Sequence, residues 1–427
     1  MSLNRRDFLK LAGVGAALVG ASPTRAALAS VQHSIPELMG KPKGKRLVIL
    51  GASFGGINTA LTVKRLVPDT QVVLLDKAPF FISCPATLEY LFGMVSLDTI
   101  TRGYTSLHER GLEFVRTTIL ALDRDKKMVV CADGTVDYDY LLVATGVRMA
   151  YEDVPGLTER PRANLCLYDK GSPLIDLHHR IAAFQGGDVV VSIPNGPYKC
   201  PPGPYEYALL WADYIKKKRL KGKVTMVDPR PKPIPPALAP GFLKAMEANK
   251  DVLTYHPHTR LLRVGPEDRT VETEAGKLRY DILSVIPPNK TMPFLVEAGL
   301  GDPFTEVNPQ TFRSTKDERI YALGDNADTP FTKSAFCATT SAKIAGQHIA
   351  KVLGAKIGEP GAPSNICWPL VSMDSAMMIS VTWSYEKDKE GNIQVKSEGT
   401  TDNEAKPSYL HARRGWEMGL LQEMFSS

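Results

Sequence analysis

The segment YKCPPGPYEYALLW, residues 198–211, places a thiol, Cys200, and a carboxylate, Glu206, on either side of three prolines. The run from Tyr205 onward reads as a helix. A cysteine at a helix N-terminus is expected to be acidified by the helix dipole, and Glu206 is spaced to exchange a proton with it. Structural cysteines favour the interiors of strands and helices over proline-braced turns, so Cys200 reads as a reactive sulfur. The other five cysteines are judged one at a time. Cys367, in NICWPL, opens the C-terminal region, and nothing in the spacing shows that it meets Cys200. Cys84, in PFFISCPATLEYLFG, follows a predicted strand. Cys131 and Cys166 carry no motif and read as structural. There is no CxxCH for attaching a c-type haem, no HExxH and no paired-cysteine spacing, so no metal site is expected.

The elements that must position these residues begin with KRLVILGASFGGINTALTVKRL, a short apolar strand, a glycine turn and a helix, followed by the strand TQVVLLDK. Gly51, Ser53 and Gly56 keep the spacing of the GxGxxG fingerprint with serine in the middle. Asp76, 25 residues after Gly51, is placed to hold an adenosine ribose. VDYDYLLVATG, ending at Gly146, and RIYALGDNAD, with Gly324 and Asp325, repeat the strand-then-glycine pattern. Their order and separation resemble the two-dinucleotide-binding flavoproteins, in which the aspartate after the last glycine binds the flavin's ribityl chain. FAD is therefore the expected cofactor. The following helix, SAFCATTSAKIAGQHIAKVL, would point its positive end at the flavin, with Lys333 supporting the charge of the reduced ring.

Between these motifs, GGDVVVSIPNG, the helix through YEYALLWADYIKKKRL, and KVTMVDP form a second βαβ unit with Asp228 at its strand end. This is the place for a nicotinamide nucleotide. Its turn, however, holds Pro194, Pro197, Pro201, Pro202 and Pro204, which remove N–H donors and block close approach of a pyrophosphate, so no NAD(P)H binding is expected. The expected fold class is α/β, with two Rossmann-like dinucleotide-binding domains (one for FAD, one a degenerate NAD-like domain) and a small C-terminal α+β interface domain. The boundaries are 45–154 and 285–357 for the FAD domain, 155–284 for the second domain and 358–427 for the last. The final helix, SYLHARRGWEMGLLQEMFSS, would carry Trp416, Leu420 and Met424 on one apolar face.

Residues 1–29 read as a twin-arginine export signal, with Arg5 and Arg6 ahead of a short apolar run, which implies a periplasmic protein. A net charge of +6 over 427 residues, with no lysine-rich tract interleaved with aromatics, argues against nucleic acid as a partner.

The motifs KCPPGPYE, APFFISCPATLEYLFG, SVIPPNK, ALGDNADTPFTKS and NIC together resemble the flavoprotein subunit of flavocytochrome c sulfide dehydrogenase, from about Lys45 to the C-terminus, with Trp416 also matching. The resemblance implies that Cys84 is bonded to the flavin 8α-methyl, that Cys200 and Cys367 form a redox disulfide beside the flavin, and that Glu206 handles protons. It implies oxidation of hydrogen sulfide to sulfur or polysulfide, with electrons passed to a c-type cytochrome subunit that docks near Trp416. Two residues depart from the pattern. Cys337 is an extra thiol expected near the active pair and able to compete for pairing, and Phe336 replaces an expected tyrosine. A sulfide:quinone oxidoreductase, using the amphipathic end at a membrane, and a flavin-bearing electron carrier without its own sulfide turnover are the alternatives.

Overall fold

The computed structural model describes residues 37–42, 44–157 and 164–426; the export-signal reading falls outside them. Five parallel strands form the first sheet, in the order Ile320–Ala322, Tyr140–Val143, Arg46–Leu50, Gln71–Asp76 and Glu113–Arg116. The strand Arg46–Leu50 is buried along its whole length, as expected for a parallel strand covered on both faces. Helix α1, Phe54–Leu66, leaves the first strand through Gly51, whose φ is +105°. A Cβ on Gly51 would lie 2.5 Å from the Ala144 carbonyl oxygen, and one on Gly56 would lie 1.9 Å from that of Gly51. Only glycine permits this turn.

Helix α2, Thr87–Leu91, follows the Cys84 loop. The second parallel sheet has the order Leu253–His256, Lys221–Val227, Gly186–Ser192, Ile282–Val285. Against it packs helix α3, Gly203–Lys218, with Tyr205, Tyr207 and Trp211 fully buried. Helix α4, Ala335–Val352, lies along α1, where Gly346 allows a close approach to Thr62 and the Thr59 hydroxyl donates to the Ala342 carbonyl at 3.3 Å.

The C-terminal part is an antiparallel sheet built around the long hairpin of Ser375–Lys387 and Ile393–Lys406, to which Ser364–Cys367 and Leu370–Ser372 also pair. Helix α5, Pro407–Phe425, closes the chain. Its apolar face is turned inward: Leu410, Leu420, Leu421, Met424 and Phe425 are buried, and the Phe425 ring lies 5.0 Å from that of Phe81. Burying each such side chain contributes roughly 1.5–3 kcal/mol. The face that the sequence offered to a membrane or a partner is thus used to dock the helix on the FAD domain. Among the described residues, no helix is long and apolar enough to cross a membrane.

Candidate functional site

One cavity is lined by Cys84, Cys200 and Cys367 together, along with Glu206, Asp325 and Trp416. Each sulfur comes from a different part of the fold. Cys200 sits on the turn before α3 at φ +48°. Its N–H donates to the Lys333 carbonyl at 2.7 Å, and its own carbonyl accepts from the Tyr168 hydroxyl at 2.7 Å and the Gly203 N–H at 2.9 Å. The turn is therefore tied to the segment that enters α4. Cys367 ends a strand, in register with Ile379. Cys84 lies between the strand Phe81–Ile82 and α2, with its carbonyl accepting from the Thr87 hydroxyl at 2.7 Å.

No S–S bond joins any of the six cysteines in this structure, and Cys200 and Cys367 line the same cavity. The three cavity thiols keep partial exposure toward the cavity, yet each is held back from ionising. Burial raises Cys200 well above the usual thiol range, reinforced by the charges of Glu206, Cys367 and Cys84. Burial, then Glu206, pushes Cys367 up to about 12. Burial also raises Cys84, against the pull of Lys170 and Lys199. This overturns the expectation of an acidified Cys200. Helix α3 starts only at Gly203, and desolvation outweighs what its dipole offers. The mutual influence of the three thiols means that ionisation of one opposes that of its neighbours.

Cys337 does not join them. It is 2% exposed in the core of the FAD domain, with its Sγ 3.9 Å from the Ser341 hydroxyl, and burial pushes it up to about 12. The expected competition for pairing is corrected accordingly: Cys337 lies on the inward side of α4, whereas Phe336 lines the cavity and stacks on Trp416 at 5.3 Å. Cys131 and Cys166 are buried in separate cores.

Glu206 is 1% exposed. It accepts the Leu370 N–H at 2.9 Å and the Arg413 guanidinium at 3.1 Å, and burial raises it above the ordinary carboxyl value while Arg413 opposes the rise. Arg413 also donates to Glu89 at 3.1 Å, to the Trp368 carbonyl at 2.8 Å and to the Pro85 carbonyl. The other Glu89 oxygen takes Arg414 at 2.6 Å. Glu417, one turn beyond Arg413, is raised to about 7 by burial, with the Ser83 hydroxyl and Arg413 opposing only in part. Sequence reasoning missed Arg413 and Glu417. The signal was their position: Leu410, Arg413, Glu417, Leu420 and Met424 follow helical spacing, so two charges fall on the buried stripe of α5.

The chain suits FAD. The Gly51 and Gly56 cradle leaves no room for side chains, and Ser53 at the start of α1 makes no side-chain cap, which leaves that helix end open to a phosphate. Asp76 stands at its strand end and accepts the Ala52 and Ala78 N–H groups at 2.8 and 2.9 Å, which fixes its carboxylate. Gly146 has φ +65° and Gly324 φ +73°. Asp325 and the first residues of α4 line the cavity. Lys333 lines it too, but its ammonium is engaged by the Asp325 and Ala327 carbonyls at 2.9 and 2.8 Å and lies 4.0 Å from the centre of the Phe304 ring. Burial lowers its pKa, and it acts as a clamp on the Asp325 turn.

In the second domain the strand-end acid is engaged by its own neighbours. Asp228 accepts Tyr205 at 2.6 Å, Tyr255 at 3.0 Å and the Arg230 N–H at 2.9 Å. Arg230 donates in turn to the Pro194 and Gly196 carbonyls at 3.1 and 2.6 Å. The strand-end acid and the loop that would meet a ribose and a pyrophosphate are bound to each other.

Residues 45–175 match the family model of pyridine nucleotide-disulphide oxidoreductases, and residues 176–287 match that of the central part of the sulfide dehydrogenase (flavocytochrome c) flavoprotein chain. A mitochondrial sulfide:quinone oxidoreductase of Dictyostelium discoideum is 24% identical over 360 residues, 81% of this chain and 79% of that protein. The sulfide-quinone reductase of Aquifex aeolicus is 27% identical over 184 residues, 43% of this chain and 42% of that one. The solved structure of the sulfide:quinone oxidoreductase from Aquifex aeolicus superposes with a TM-score of 0.72 at 18% identity, covering 89% of this chain and 91% of that one. With its FAD cradle and its two family matches, the chain has the two-dinucleotide-binding, disulfide-oxidoreductase-like fold and carries over residues 176–287 the central part of the flavocytochrome c sulfide dehydrogenase flavoprotein chain, with sulfide:quinone oxidoreductases among the proteins it is similar to.

Proposed function

We propose that the protein oxidises hydrogen sulfide through Cys200 and Cys367 and passes the electrons to a c-type cytochrome. The observation that carries this reading is the meeting of Cys200, Cys367 and Glu206 with Cys84 and Asp325 on one cavity. In the oxidised pair, hydrosulfide attacks the disulfide. One S–S bond breaks and another forms, giving a persulfide on one cysteine and a thiolate on its partner. Glu206 takes the proton that leaves sulfur, and Arg413 balances its charge. FAD, held by the Gly51, Gly56, Asp76 and Asp325 positions and anchored at Cys84, would supply a two-electron acceptor able to release electrons singly, which suits a haem acceptor. With those two electrons removed and the persulfide proton taken by Glu206, the Cys200–Cys367 disulfide would re-form and the outer sulfur would leave at the zero-valent level, as sulfur or polysulfide.

The bonds of Asp228 and Arg230 within the second domain support electron entry from sulfur instead of NAD(P)H. The buried apolar face of α5 supports a soluble acceptor, and Arg5 and Arg6 support a periplasmic location. The relatives named above favour a second reading, transfer to a quinone. Anaerobic sulfide should bleach the flavin of the parent protein and fail to do so in Cys200→Ser and Cys367→Ser. Bleaching that survives both changes would leave only an electron carrier. Turnover with cytochrome c but not with a water-soluble quinone supports the main reading, and the reverse result installs the quinone reading.

A further inference from the structure

Three chain segments bear the cavity sulfurs, and one guanidinium touches a neighbour of each. Arg413 binds the Trp368 carbonyl, next in the chain to Cys367, the Pro85 carbonyl, next to Cys84, and Glu206 on the helix that follows Cys200. Its Nε is held at 3.1 Å by Glu89, whose second oxygen is fixed by Arg414. Arg413 is 6% exposed, Glu89 is fully buried and Glu206 is 1% exposed, so water does not screen these contacts.

We propose that Arg413 is a positioning residue for the sulfur chemistry, gathering the three cysteine segments and holding Glu206 as a charged proton acceptor beside Cys200. The inference rests on the reading that Glu206 takes a proton during sulfide oxidation. The groups facing Glu206 are Arg413 from α5, Glu89 from α2, Cys200 from the proline turn, Cys367 from its strand end, Tyr168, and the Leu370 N–H. Among these, Arg413 is the cation. It lowers Glu206, Cys200 and Cys367 alike, against burial. Its removal therefore raises all three, and steps that need an ionised group move to higher pH.

The test uses the full, FAD-loaded chain and follows flavin bleaching by sulfide in anaerobic stopped flow across pH. In Arg413→Gln the acid limb should rise by at least about one pH unit and the rate on the plateau should fall about tenfold or more, while reduction by dithionite is unchanged. Arg413→Lys keeps the charge but not the three-way reach, so its limb should move less while its plateau still falls. This variant decides the matter if the glutamine variant does not fold. In a Glu206→Gln background the additional limb shift should shrink to the part carried by Cys200 and Cys367, because the remainder runs through Glu206. Unmoved limbs in both variants would reduce Arg413 to a structural ion pair, and a shift of full size without Glu206 would remove the proposed route. Sulfide bleaching that persists in Cys200→Ser would bring down the parent reading, an outcome that the arginine variants do not mimic.

Discussion

Glu417 carries a carboxyl raised from 4.5 to about 7, chiefly by burial. A folded-state pKa above the unfolded one means that the folded chain holds the proton longer. Below the unfolded value both states are protonated and folding bears no penalty. As pH rises toward the folded value, the unfolded chain ionises first, and about 3 kcal/mol of stability is lost, with no further change above that value. Glu417→Gln should abolish this loss. Denaturant midpoints near pH 8 should then favour the variant and those near pH 4 should not; equal midpoints at both would refute it. Cys84→Ser makes a separate claim. If Cys84 carries the flavin covalently, flavin fluorescence should travel with the parent polypeptide through a denaturing gel and be absent from the variant; a parent band without fluorescence would refute the linkage. Cys200 and Glu206 were legible because their residue types and the prolines between them announce chemistry, whereas Cys84 and Cys367 took their roles only from the resemblance to the flavoprotein family. The acidity of Cys200 was misread, because burial is a property of the assembled walls and not of the turn. Arg413 and Glu417 were visible only as charges out of place on an apolar stripe.

At the scale of elements, the turn before α3 depends on Gly203, where a Cβ would lie 2.5 Å from the Tyr168 hydroxyl that holds the Cys200 carbonyl. Gly203→Ala should displace Tyr168, lower stability by about 1–3 kcal/mol and slow sulfide bleaching without loss of flavin, measured by denaturation and stopped flow. Wild-type values for both would show that the clamp on Cys200 is dispensable. The two parallel sheets could be read from continuous apolar runs such as RLVIL and VVVS, and the glycine turns from the spacing of Gly51 and Gly56. The hairpin of Ser375–Lys387 and Ile393–Lys406 was less legible. Most of its residues are exposed or half-buried, so no strong apolar pattern marks its length. The α5 stripe was seen, but its destination was not. Helical spacing identifies an apolar face without saying whether that face meets the same chain or another molecule.

At the scale of the whole molecule, Asp228 and Arg230 tie the second nucleotide loop to its strand end, and the last helix lines the cavity that holds three cysteines, so under the proposed function the open step is where electrons leave. Phe336, Trp416 and Trp368 line the cavity as a chain of rings, 5.3 Å between the first two centres and 6.1 Å between the second two. Trp416 is half-buried on α5, between the cavity and the outer surface of that helix. If a cytochrome docks over this helix, Trp416→Ala should slow reduction of cytochrome c while leaving the first bleaching of flavin by sulfide close to the parent rate, because the sulfurs and Glu206 are untouched. If a quinone instead enters beside the same rings, the smaller side chain would widen its path and hold or raise the rate with a water-soluble quinone. Single-turnover bleaching and steady-state reduction of each acceptor, measured on the same preparations, separate these outcomes. Loss of bleaching itself in Trp416→Ala would place the tryptophan in the sulfur chemistry and defeat the assignment of this wall to electron exit.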